Sequence, residues 1–437
     1  MATRAFAASF LLVSAAVAWI TITVPLAARL LQAGVLLSML YVAYLAWRGS
    51  RMMRAALGAG GPRVPPAALR RVSLIVPARN EASVIGDTVA SLAALDYAGR
   101  DGQPVYDILV VDDGSTDGTG EQALAAGRGP LVSLMRREPS GGPRTKGAVL
   151  QAAMPRLSAE VIGVIDADTR VAPGFLREVM AAWDRDPGAA AIQVSRRPRN
   201  AGRGWLTAAQ AEEQLMDMAS QCGRRATDGT AELRGNGMFV RRDVLDAVGG
   251  WNPSALTEDL DLSTRLAAAG HRVTLAPEAV VEEEAVESLG ALWHQRLRWA
   301  EGSLRRLLEH GPGLLAGPLS IGHKADFLAF AAEFLLPPLF ATTILASLLT
   351  IPLPRPADWT VPASLFIGYG LGVFLLALGG LSAVGVRGAP LVGRALRGAL
   401  FLSHWLVIVP VALVRIALGG PPTGFVQTPR FTGGGTP

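Results

Sequence analysis

The sequence predicts an α/β domain on a mostly parallel sheet, flanked on both sides by membrane-spanning helices. Between Arg71 and about Ala285, short apolar runs ending in turn residues alternate with helical stretches, the pattern of a sheet covered on both faces. Long uncharged apolar segments stand at both ends of the chain, and such segments span bilayers. Half of the 437 residues are hydrophobic, and their uneven distribution marks a mixed membrane protein.

The chain opens with Ala5 to Ala28 and Leu30 to Trp47, two uncharged spans separated by Arg29. A cleaved signal peptide would account for the first alone, but the second follows at once, so residues 1–56 read as a hairpin of two spanning helices. Arg48, Arg51 and Arg54 place the next domain on the cytoplasmic side. Residues 57–70, rich in Gly and Pro, read as a linker, and 71–287 as the α/β domain. Its strands are VSLIVP (72–77), DILVVD (107–112), VIGVID (161–166) and AAIQVS (190–195), with helices over 83–95, 116–126, 145–156 and 173–184. Residues 288–325 read as amphipathic interface helices, 326–418 as spanning or interfacial helices, and 419–437 as a tail. The net charge of +5 comes with no basic, aromatic-rich face, which excludes nucleic acid as a partner. Cys222 is the sole cysteine and the five histidines are scattered, which excludes disulfides and thiolate metal clusters.

Ligands of parallel sheets sit beyond the carboxyl ends of the strands, and the polar motifs fall there. Pro77-Ala78-Arg79-Asn80-Glu81 follows the first strand and Asp112-Asp113-Gly114-Ser115 ends the second. Each alone reads equally as an ordinary strand-to-helix turn. Asp166-Ala167-Asp168 ends the third run. Alternate carboxylates there can share one hard divalent cation, which with a diphosphate would neutralise the leaving group. The loop Gly141 to Gly147 opens a helix and carries Lys146, one of only two lysines among 41 basic residues. A compact ammonium beside phosphate and a plain solvated lysine are both open readings. Gly235-Asn236-Gly237-Met238-Phe239 precedes a short helix, Arg241 to Val248. Thr257-Glu258-Asp259 then begins another, Glu258 to Ala268. Those acids suit a helix start as well as a general base on a hydroxyl.

Leu289 to Arg306 is the amphipathic stretch. Leu289, Trp293, Leu297, Ala300 and Leu304 share one arc, expected to be buried. Gln295, Arg298, Trp299 and Gly302 share the opposite one. An amide, a guanidinium, an indole and a gap on one ridge suit either a polar ring-shaped ligand or a membrane surface with Trp299 at headgroup level.

The series LIVPARNE, VVDDGS, RTKGA, IDADT, RGNGMFVRRD, TEDLDLS and WHQRLRWAEG, over residues 72–302, resembles the family-two glycosyltransferases of GT-A fold. Within that family it is similar to the membrane branch of cellulose, chitin and hyaluronan synthases. The resemblance implies that Ala78, Arg79, Glu81, Asp112, Asp113, Lys146, Asp166 and Arg298 bind a UDP-sugar. It implies Mg²⁺ or Mn²⁺ on Asp166 and Asp168, and Asp259 as the base. Asn236, Glu258, Gln295, Arg298 and Trp299 would bind the acceptor, in one inverting displacement at the cytoplasmic membrane of a bacterium.

The two-helix start and the ending RWAEGSLRR also resemble bacterial β-monoglucosyldiacylglycerol synthases, so the expected acceptor is a lipid such as diacylglycerol. A processive polysaccharide synthase is the alternative, and a non-catalytic nucleotide-binding membrane partner is the alternative of another class. Phe334 to Pro354 and Trp359 to Val386 are long enough to span. Arg387, Arg394 and Arg397 place the next loop inside, and residues 391–418 are expected to lie on the inner surface. Glu333, at the head of a span, suits an acceptor route or simple snorkelling. Phe425, Thr428 and Arg430 resemble the family's terminal gating element, although Gln427 departs from its pattern.

Overall fold

The computed structural model describes residues 2–58, 69–127, 129–138, 145–317, 319–353 and 359–420. Most of the expected linker, Gly141–Arg144 of the lysine loop and the gating residues Phe425, Thr428 and Arg430 lie outside them, as does the side chain of Glu333. The chain divides into two compact units. Among the described residues, one contains those up to 54, 208–230 and 288–420; the other contains 55–207 and 231–287.

The second unit is built on one eight-stranded sheet. Its strands are β1 (Val72–Ala78), β2 (Tyr106–Asp112), β3 (Val132–Arg136), β4 (Val161–Val164), β5 (Arg170–Val171), β6 (Ala189–Pro198), β7 (Met238–Arg241) and β8 (Arg272–Glu283). They lie in the order β3-β2-β1-β4-β7-β6-β8-β5. β1, β2, β3 and β4 pair in parallel, as do β6 and β8. β7 runs antiparallel to both β4 and β6, and β5 antiparallel to β8.

The sheet is therefore mixed rather than mostly parallel. Gly235 and Gly237, at φ +80° and +68°, shape the entry to β7, which runs antiparallel to both its neighbours. Such angles favour glycine, and a Cβ on Gly237 would stand 2.3 Å from Val194 Cγ2. Val72, Leu74, Val76, Ile108 and Val110 form the core with Phe175, Trp183 and Phe239. Buried strands of this kind read as continuous apolar runs.

The helices of this unit are α3 (Ala82–Ala93), α4 (Thr119–Ala126), α5 (Lys146–Ala153), α6 (Phe175–Arg185), α8 (Arg242–Ala247) and α9 (Glu258–Ala268). The first unit holds α1 (Ala2–Thr23), α2 (Pro25–Gly58, to residue 54), α7 (Trp205–Ala226, from residue 208), α10 (Leu289–Ala316), α11 (Ile321–Thr350), α12 (Thr360–Ala383), α13 (Gly388–Leu402) and α14 (Trp405–Leu418). Among the described residues four segments are long and apolar enough to cross a membrane: Thr3–Thr23, Pro25–Gly58, Thr360–Ala383 and Gly388–Leu418. There are five if bent α11 counts as one span.

The first two helices part at Val24, not at Arg29, because Pro25 starts a helix well but has no N–H to continue one. Leu297, Ala300 and Leu304 of α10 are buried with Ala7 of α1 and Ile408, Val409 and Ala412 of α14. Leu289 and Trp293, expected on the same buried face, are exposed, and Leu292 and Arg296 take the buried positions in that turn. Glu212 of α7, fully buried, accepts from Arg394 Nε at 2.9 Å and Arg397 Nε at 2.6 Å on α13.

Candidate active site

In the strand order, β1 lies between β2 and β4, so the sheet reverses its direction of growth beside β1. The crevice beyond the carboxyl ends at such a switch point is where open α/β sheets take ligands. The polar residues after β1, β2 and β4 all face that edge, since Ala78 is level with Asp112 and Ile75 with Val164.

The loops after β1 and β2 lock to each other. Asn80, at φ +53°, donates its N–H to Ser115 Oγ at 2.9 Å and accepts from Thr116 N–H at 2.9 Å. The Glu81 N–H donates to Thr119 Oγ1 at 2.8 Å and the Ala82 N–H to Asp117 Oδ2 at 3.1 Å. Asp112 Oδ1 accepts the Ser115 N–H at 2.9 Å. Asp113 is buried against Arg137. That pairing ties the end of β2 to the segment after β3.

Asp166-Ala167-Asp168-Thr169 is a turn closed by the Thr169 N–H donating to Asp166 O at 3.1 Å. Three more side chains fix it from distant parts of the chain. Thr88 Oγ1 donates to Ala167 O at 2.7 Å, Arg199 Nη1 to Asp168 O at 2.9 Å, and Asn236 Oδ1 accepts the Asp166 N–H at 3.1 Å. Asn236 is 1% exposed. Its Nδ2 donates to Thr169 Oγ1 and Glu283 Oε2, both at 2.9 Å. With both ends of its amide engaged in the interior, Asn236 sets the carboxylate turn and does not reach an acceptor. Buried polar side chains satisfied in this way hold one geometry.

Lys146 begins α5 and bridges the remaining acids. Its Nζ lies 2.5 Å from Asp166 Oδ1, 2.9 Å from Gly235 O and 3.6 Å from Glu258 Oε1. Burial works to lower its pKa, but the carboxylates of Asp166, Glu258 and Asp259 outweigh it and hold the ammonium above its ordinary range. Burial pushes Glu258 up to about 7, with Lys146 opposing and Asp259 adding to the rise. Glu258 thus faces the lysine from the interior. Asp259 is partly exposed, and its Oδ2 lies against Gly235, 3.2 Å from where a Cβ would stand. Thr257 occupies the cap position of α9 without a side-chain capping bond.

Among the described residues no group of three or more His, Cys, Asp or Glu converges to hold a metal unaided. Two hard carboxylates on a fixed turn nevertheless fit a divalent cation completed by phosphate oxygens and water.

Residues 69–302 match the model described as "Glycosyltransferase like family 2". The chain belongs to this family. It is a glycosyltransferase. A β-monoglucosyldiacylglycerol synthase of Synechocystis sp. is 34% identical over 82% of this chain and 74% of its own length. A poly-β-1,6-N-acetyl-D-glucosamine synthase of Staphylococcus aureus is 26% identical over 55% of this chain and 56% of its own. The solved mannosyltransferase PcManGT of Pyrobaculum calidifontis, in complex with GDP-Man and Mn²⁺, superposes with a TM-score of 0.58 at 21% identity. The match covers 89% of this chain and 98% of that one, and it shows the GT-A fold.

The sheet unit of this glycosyltransferase brings together Ala78, Arg79, Glu81, Asp112, Lys146, Asp166, Asp168, Glu258 and Asp259. Gln295, Arg298 and Trp299 belong to the helical unit, on α10. Thr88, Arg199 and Glu283 were not singled out by sequence reasoning. Their partners lie 79, 31 and 47 residues away, and no local pattern signals such pairs. Thr169 had a signal: a hydroxyl residue closing the Asp-x-Asp turn.

Proposed function

We propose that the protein transfers glucose, with inversion, from UDP-glucose to a hydroxyl of diacylglycerol at the cytoplasmic face of a bacterial membrane. The reach of the sequence match carries this reading. The diacylglycerol-glucosylating relative aligns with 82% of the chain, well beyond the α/β domain, while the polysaccharide synthase aligns with 55%.

In this reading Ala78, Arg79, Glu81 and Asp112 receive the nucleoside, with Asp113 and Arg137 supporting the loop. Asp166 and Asp168 would hold Mg²⁺ or Mn²⁺ against the diphosphate. That ion, when bound, supplies positive charge to the leaving group. Lys146 adds a compact ammonium beside it, positioned by Gly235 O and Glu258. Asp259 takes the proton of the acceptor hydroxyl as its oxygen bonds to the anomeric carbon. The bond from that carbon to the diphosphate oxygen breaks on the opposite face, and UDP leaves. One displacement inverts the carbon. Asp259 suits the base role better than Glu258, because a base must reach the acceptor proton and Glu258 is buried against the lysine. Gln295, Arg298 and Trp299 supply acceptor and diphosphate contacts.

The test is UDP release from UDP-glucose by purified protein with and without dispersed diacylglycerol. Release that rises and saturates with diacylglycerol is expected. Release indifferent to the lipid, or UDP binding without any release, would contradict the reading.

A further inference from the structure

Between Gln295 and Arg298-Trp299 stands Arg296, which the motif does not include. It is 2% exposed, far more buried than arginine normally is. Its Nη2 pairs with Glu213 of α7. Its Nη1 donates to Gln295 Oε1 at 3.3 Å, and its guanidinium carbon lies 4.2 Å from the centre of the Trp299 ring. One buried cation therefore touches two of the three motif side chains.

The spacing explains the arrangement. Residues three apart on a helix are neighbours, so a guanidinium at 296 meets an indole at 299. A planar guanidinium stacks on an aromatic face while keeping in-plane donors for other partners, which an ammonium cannot do. Glu213 supplies the opposite charge that a buried arginine requires. The adjacent Glu212 is engaged elsewhere, with Arg394 and Arg397, so the two acids of α7 divide their tasks.

We propose that Arg296 is a positioning residue for acceptor recognition. Held by Glu213, it fixes the Gln295 amide and the Trp299 indole in one mutual orientation, and Trp299 binds the acceptor in that orientation. The proposal rests on the reading above, in which Gln295 and Trp299 contact the acceptor.

The test compares the KM for dispersed diacylglycerol with the KM for UDP-glucose in the full-length protein. Trp299→Ala checks the underlying reading and should raise the diacylglycerol KM. If it does not, Trp299 is no acceptor contact and the proposal falls with that reading. Arg296→Met keeps the stem but loses the stack. It should raise the diacylglycerol KM by roughly 10-fold, the loss of one desolvated cation–π contact, and leave the UDP-glucose KM within about 2-fold. Arg296→Lys should fall between the two, since it keeps the charge without the plane.

The double variant Arg296→Met/Trp299→Ala should raise the diacylglycerol KM by clearly less than the product of the two single effects, because the arginine acts in part through the indole. Multiplying effects, or equal rises in both KM values, would overturn the proposal while leaving the Trp299 reading intact. Should Arg296→Met fail to fold, Glu213→Gln decides. A selective rise in the diacylglycerol KM supports the proposal, and unchanged or unselective kinetics oppose it.

Discussion

At the scale of the residue, the chemistry turns on a few acids around one lysine. Asp166→Asn or Asp168→Asn should abolish turnover and weaken Mn²⁺ binding with UDP present while leaving the fold intact, since a neutral amide is a poorer partner for a hard cation. Paired turnover, Mn²⁺ titration and circular dichroism check this. Full activity of the unsubstituted protein in a metal-free assay would oppose it. Glu258 carries a pH signature. Its pKa is raised by burial from about 4.5 to about 7, so across that window the folded protein holds the proton more tightly than the unfolded chain. Stability contributed by this group therefore falls as pH rises from about 4.5 to about 7. Glu258→Gln should remove that decline, read as the midpoint of thermal unfolding in detergent from pH 5 to 8. A parallel decline in both proteins would show that Glu258 is not its source.

At the scale of the element, the Asp-x-Asp turn is held because side chains from three separate parts of the chain, Thr88, Arg199 and Asn236, converge on it. Asn236→Ala should cost about 1–3 kcal/mol by leaving buried partners unsatisfied and should also weaken Mn²⁺ binding. Calorimetry and Mn²⁺ titration measure the two effects, and a stability loss with unchanged Mn²⁺ affinity would reduce Asn236 to a packing residue. In the helical unit, Glu212→Ala should destabilise by about 1–3 kcal/mol, because Arg394 and Arg397 lose their charge-assisted hydrogen bonds but, being partly exposed, are rehydrated. Thermal unfolding in detergent checks this.

Much of the α/β unit was legible in the sequence. Glu258–Ala268 emerges as α9 with the expected bounds, and β1, β2, β4 and β6 coincide with the four apolar runs, within a few residues. What escaped had weaker local signals. β3 is five residues long, β7 is four and follows two left-handed glycines, and β8 is interrupted by Pro277 and acids. Asn236 looked like a ligand-facing residue because nothing in Gly-Asn-Gly announces that the amide turns inward to hold Asp166 and Thr169.

At the scale of the whole molecule, parity sets the membrane arrangement. If the α/β domain faces the cytoplasm and α11 and α12 both cross, the chain would return to the cytoplasm at Arg387. We expect residues 391–418 to lie on the inner surface, so that the tail ends inside. Taken as one stretch, Gly388–Leu418 is long enough and apolar enough to cross; divided at Ser403–His404, α13 and α14 have 15 and 14 residues, each about 22 Å at 1.5 Å per residue and short of a 30 Å core, and the two arrangements put the tail on opposite sides. A cysteine at Thr436 in a Cys222→Ser background reports the side. Labelling by an impermeant maleimide only after lysis is expected, and labelling of intact cells would put the tail outside.

The molecule as a whole is proposed to place one glucose on a membrane lipid. Membranes carrying the protein, and matched membranes carrying Asp259→Asn, are incubated with UDP-[¹⁴C]glucose and diacylglycerol and extracted with chloroform. Label in a chloroform-soluble monoglucosyl lipid is expected, reduced by roughly 10²–10⁴-fold in Asp259→Asn while UDP binding persists. Label confined to an insoluble polymer, or lipid labelling equal in the two membranes, would contradict it.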